Sequence, residues 1–139
     1  MKKRPNVNEM SAADFRKRYV DQIEHNLQKL CIDWFRLDYP QLMIAAVPNA
    51  GDRSPAEAQK MLNEGLLPGF PDTVIPFPSA SYHGLFAELK TVKGRISPQQ
   101  HIVHAHLRAL GYQVIVPRTF EEFQSQVTDY LHGPANSGH

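Results

Sequence analysis

A chain of 139 residues has room for one hydrophobic core, so a second domain is not expected. Its 42% hydrophobic and 21% charged residues are ordinary for a globular protein, and no apolar run approaches the roughly 18 residues that a membrane crossing needs. A net charge of +1 does not mark a strongly basic nucleic-acid binder, so any reading toward nucleic acid must rest on a site.

The amino terminus, Met1-Lys2-Lys3-Arg4-Pro5, runs into polar sequence with no apolar signal region. Cytosol is therefore the expected address, and residues 1–10 and 132–139 read as flexible ends around a domain spanning 11–131. From Ser11 to Leu37 the residues Ile23, Leu27, Leu30, Cys31 and Trp34 recur at helical spacing, which predicts a long first helix ended by Tyr39-Pro40. Cys31 sits on that apolar stripe, where a thiol is a small hydrophobe rather than a nucleophile. Leu42 to Val47 reads as a short buried strand turning at Pro48-Asn49-Ala50-Gly51, and Ser54-Pro55 opens a short helix to about Asn63.

A glycine-rich loop then leads to Phe70-Pro71-Asp72, followed by strands at about 73–77 and 84–91 that pair as a hairpin. Ser97-Pro98-Gln99-Gln100 is a helix start, with Ile102, Val103, His106, Leu107 and Leu110 as its buried stripe and Gly111 as its C′ residue. Residues 112–116 form a last core strand, and Thr119 with Glu122 caps a terminal helix to about Leu131. The order α-β-(α)-β-β-α-β-α specifies an α/β fold with a central mixed sheet flanked by helices.

Chemistry concentrates on the strand Gly84-Leu85-Phe86-Ala87-Glu88-Leu89-Lys90. Alternation sends Leu85, Ala87 and Leu89 to one face and Phe86, Glu88 and Lys90 to the other. If that face is buried, a carboxylate and an ammonium there need a partner; the competing reading is a solvated or ion-paired couple on an open face. Hairpin pairing brings Asp72 toward Glu88. Two carboxylates, the main-chain carbonyl of Leu89 and water suit Mg²⁺ or Mn²⁺, with Lys90 placed to orient a nucleophile or offset charge on a phosphate. Asp72, fifteen residues, then Glu88-Leu89-Lys90 is a weak pattern alone, and Asp72 reads equally as a turn residue.

Further segments sharpen it: Val47-Pro48-Asn49-Ala50-Gly51-Asp52-Arg53, Gly65 with Gly69-Phe70-Pro71-Asp72, Tyr82-His83-Gly84 through Lys90, Gly94-Arg95-Ile96-Ser97-Pro98-Gln99-Gln100, and Leu110-Gly111-Tyr112. In this order they resemble the VRR-NUC family of virus-type replication and repair nucleases, over about residues 20–131. The resemblance implies a PD-(D/E)xK, restriction-endonuclease-like core in which Asp72 and Glu88 hold the divalent metal, Lys90 is the catalytic lysine, and Glu24 and Gln100 complete the site, Glu24 also as a metal ligand. It implies a stand-alone phage or bacterial protein in the host cytosol, a homodimer acting on branched or duplex DNA such as Holliday junctions in DNA repair.

Glu24 flanks the first helix's apolar stripe and reads equally as a surface charge. Gln100 competes with a capping-box role, and Gln99 projects nearer the predicted stripe. Arg53, Lys93 and Arg95, with Asn49 at the turn, are candidate DNA contacts, whereas Leu62 and Leu67 stand where the family often carries basic residues. His101, His104 and His106 do not share one helix face, which argues against zinc. A catalytically silent nucleic-acid-binding or dimerisation module of the same fold, and an RNA nuclease, are the competing functions.

Overall fold

The computed structural model describes residues 11–51 and 53–133. Within them the elements run α1 (Ala12–Asp38), β1 (Ala45–Ala46), α2 (Pro55–Asn63), β2 (Thr73–Ile75), β3 (Leu85–Ala87), α3 (Pro98–Ala109), β4 (Gln113–Ile115) and α4 (Phe120–His132), in the predicted order. The four strands form one mixed sheet in the order β1-β2-β3-β4, antiparallel except for the parallel β3–β4 pair. Of the flexible ends expected at 1–10 and 132–139, residues 1–10 and 134–139 lie outside the described residues, while His132 is helical, with Nε2 3.0 Å from the Tyr39 hydroxyl.

Each helix start after the first is built from its own sequence. The Ser54 hydroxyl accepts from the Glu57 N–H, and Ser97 and Gln100 close a capping box, each helix then taking proline at its first position. Thr119 caps α4, but the Glu122 carboxylate accepts from the N–H of Arg118 rather than closing a box with Thr119.

Helices cover both faces of the sheet. Leu85, Ala87 and Leu89 join Cys31, Phe35, Ile75, Phe123 and Val127 in the larger core under α1 and α4, where Trp34 meets Phe35, Tyr39, Phe120 and Phe123 edge-on. Burial there pushes the Cys31 thiol up to about 12, which leaves it inert. Phe86 and Val114 pack with Leu107, Val103 and Phe70 in a second cluster under α3. The predicted face alternation of β3 is thus realised, with both faces covered.

Three expectations fail. The buried strand at 42–47 is a two-residue edge pair whose alanines are exposed, because β1 borders only β2; of that run Ile44 alone is buried. On α1, Ile23 and Leu30 are exposed, Leu30 by 51%, since Leu27, Cys31, Trp34 and Phe35 set the inward face. On α3 the buried line is Val103, His104 and Leu107, while Ile102 (70%), His106 and Leu110 face outward. Gln99, expected near the stripe, is exposed, and Gln100 is half-buried.

Candidate functional site

The register of the central hairpin places the two acids. Thr73 pairs with Ala87 and Val74 with Phe86, so one step further puts Asp72 opposite Glu88 with their side chains on the same face. β2 begins only at Thr73, and the Leu89 N–H that would seek a main-chain acceptor there donates to the Asp72 Oδ2 at 2.8 Å. On the other side the chain leaving β3 stays fixed to the end of β4 and the segment after it through Glu88 N–H to Ile115 O (2.9 Å) and Lys90 N–H to Pro117 O (3.3 Å). The N–H of Val47 donates to Asp72 O at 2.7 Å, which brings the Asn49 turn alongside. Asp72 is therefore held by its main chain and its carboxylate, not free as a turn residue.

Glu88 is 2% exposed, which rules out an open strand face for it. Its carboxyl is pushed up to about 9: burial contributes most, Asp72 adds by hydrogen bond and charge, Lys90 opposes, and the Glu24 charge adds least. The two carboxyls lie close enough to share a proton, with the Lys90 ammonium near enough for its charge to be felt at Glu88. His104, which the sequence reading did not place in the site, comes from α3 with Nε2 3.0 Å from Glu88 Oε1 and is equally buried. Burial, then the Arg108 and His101 charges, lower its pKa, so the imidazole is neutral and the contact is a hydrogen bond rather than an ion pair.

A cleft of about 70 Å³, with room for an ion and a few waters, is lined by Glu24, His25, Gln28, Asn49, Gly51, Asp72 and Leu89. Glu24 thus borders Asp72 from α1, yet among the described residues no three His, Cys, Asp or Glu side chains converge as a metal cage. The Gln100 side-chain oxygen accepts from Ser97 N–H at 2.8 Å, which engages it in the helix cap. Asn49 is exposed and its Oδ1 accepts from Gly51 N–H, shaping the turn. Arg53, Lys93 and Arg95 are exposed; the last two ride on the loop after Lys90, which the Arg118 guanidinium ties down through Thr91 O and Gly94 O.

The donor chemistry fits a hard divalent cation. A buried carboxylate held against a half-buried one repels it unless a proton or a cation lies between them, and oxygen donors of this kind select Mg²⁺ or Mn²⁺ over softer ions. The pKa of Glu88 is higher in the folded than in the unfolded chain, so its contribution to stability is fullest below the ordinary value of 4.5 and declines as pH rises toward about 9. We expect the melting temperature of metal-free wild type, taken relative to Glu88→Gln, to fall across that window. Parallel pH profiles for the two proteins would contradict the shared proton.

Known proteins share this architecture. A solved structure of a VRR_NUC domain protein matches with a TM-score of 0.66 at 24% identity, over 80% of this chain and 89% of the other, which shows a common fold. No curated protein matches the chain. The VRR-NUC domain model matches residues 12–120, most of the sequence and all three groups at Asp72, Glu88 and Lys90, and the chain accordingly belongs to the VRR-NUC family of nuclease-type domains.

Proposed function

We propose that this protein is a divalent-metal-dependent endonuclease that hydrolyses DNA phosphodiester bonds. The observation that carries the reading is the convergence of the Asp72 and Glu88 carboxyls beside Lys90, at a place where burial makes the Glu88 charge costly without a cation. Asp72 and Glu88 would hold Mg²⁺ or Mn²⁺, with the Leu89 carbonyl as a further oxygen donor and Glu24 reaching the ion from the cleft wall. The bound ion supplies charge that polarises a phosphoryl oxygen and acidifies water.

The protein's own groups do the rest. Lys90, half-buried and fixed through its main chain, offsets negative charge as it builds on the phosphate and orients the attacking water. Leu89 N–H holds the Asp72 carboxylate in place, so the acid does not swing toward solvent. Gln100 steadies the start of α3 beside the site. Arg53, Lys93, Arg95 and Asn49, exposed around the cleft and the loop after β3, suit phosphate contacts on duplex or branched DNA. A homodimer would carry two such sites for paired cuts at a four-way junction, in keeping with a role in DNA repair. No described helix is long and apolar enough to cross a membrane.

The test is cleavage of four-way-junction, flap and linear duplex DNA, with matched RNA, by wild type and Lys90→Ala in Mn²⁺. Wild type is expected to cut DNA, leaving 5′-phosphate and 3′-hydroxyl ends. The variant should be slower by on the order of 10²–10³. Equal background from both proteins would make the chain a silent binding module, and preferential RNA cleavage would reassign the substrate.

A further inference from the structure

We propose that His104 is a positioning residue for the metal-binding carboxylate: it ties down Glu88 Oε1 and leaves the other oxygen as the donor to a divalent cation. The inference rests on the reading of Asp72 and Glu88 as a metal pair. His104 is buried on the inward face of α3 beside Val103 and Leu107, side chains that themselves pack with Phe86 and Val114. An aliphatic side chain would suit those neighbours. A polar ring 2% exposed at that position is favourable only if its donor finds a partner, and the partner is Glu88 Oε1 at 3.0 Å.

The consequence concerns orientation. Glu88 sits at the end of a strand whose main chain is fixed on both sides, but its carboxyl still has side-chain torsions that the backbone does not set. A hydrogen bond from α3 to one oxygen removes that freedom before a cation arrives. Such outer partners of carboxylate ligands typically change metal affinity or activity by roughly 10–100-fold when removed.

The measurement is Mn²⁺ affinity of DNA-free protein, read from the electron paramagnetic resonance signal of free Mn²⁺, for wild type, His104→Leu, His104→Gln, Leu107→Ala and Asp72→Asn. His104→Leu is expected to bind Mn²⁺ about 10–100-fold more weakly, with cleavage recovered at high Mn²⁺. His104→Gln, whose amide nitrogen reaches the place of Nε2, should restore most of the affinity. Leu107→Ala, a packing loss on the same helix, should lower the melting temperature and leave Mn²⁺ affinity unchanged. If His104→Leu does not fold, His104→Asn replaces it: its amide stops short of Glu88, and the same loss is expected. Wild-type affinity in His104→Leu or His104→Asn, an equal loss in Leu107→Ala, or no restoration by His104→Gln would overturn the positioning role. Wild-type binding that does not depend on Asp72 would instead remove the metal reading itself.

Discussion

Glu88→Gln is expected to melt higher than wild type in metal-free buffer at about pH 8 while losing Mn²⁺-dependent cleavage by at least about 10²-fold. The two effects have one cause. At that pH an ordinary carboxyl would be ionised, but burial and the nearby Asp72 hold Glu88 protonated up to about 9, so folding must take up a proton against the solvent. Glutamine has nearly the same shape and carries no charge. Its oxygen can accept from His104 Nε2–H and its amide can donate to Asp72, so no buried polar group is left unpaired. Each kcal/mol so relieved is worth roughly 2–8 °C in melting temperature. The same neutral amide is a poor ligand for a hard dication. Differential scanning fluorimetry alongside a cleavage assay measures both; a variant that melts lower than wild type, or one that still cleaves, would contradict this account of the pair.

Gly69→Ala is expected to destabilise the protein by about 2–4 kcal/mol and to reduce cleavage with it. Gly69 has φ +89°, and a Cβ there would lie 2.6 Å from the Gln99 carbonyl oxygen and 2.9 Å from the Gln100 nitrogen. Both obstacles are main chain at the start of α3, which cannot turn aside as a flexible side chain would. The loop three residues before Asp72 must therefore shift, and Asp72 with it. Gly65→Ala is the control: φ is +109°, but no atom lies within 4 Å of the added Cβ, so only left-handed strain of about 1–2 kcal/mol applies. Chemical denaturation of the two variants gives the comparison. Equal losses would mean that the close approach to α3 contributes nothing.

Much of the fold was legible because local chemistry and periodicity agree. Ser54-Pro55, Ser97-Pro98 and Thr119 each cap the helix they precede, and the alternation from Leu85 to Lys90 sorts β3 between two cores. The meeting of Asp72 and Glu88 followed from the hairpin, since one register step decides it. What escaped was the phase of the helices. On α3, Ile102 and Leu110 are large and apolar, so they drew the predicted stripe toward His106, whereas tertiary packing turns Val103, His104 and Leu107 inward. Histidine carries no apolar signal, and His104 lies four residues after Gln100 on a helix. A phase set by Val103 and Leu107 would have found it. Likewise His25 and Gln28 line the cleft only because the middle of α1 passes beside the Asn49 turn, a juxtaposition that local pattern does not encode.

The most direct measurement is the anomalous difference density of a crystal of the wild-type protein soaked in Mn²⁺. A peak is expected at the Asp72 and Glu88 carboxylates beside Lys90, together with its disappearance in Asp72→Asn. Wild-type crystals that show no Mn²⁺ there at millimolar concentration, or that place it elsewhere on the surface, would contradict the metal reading.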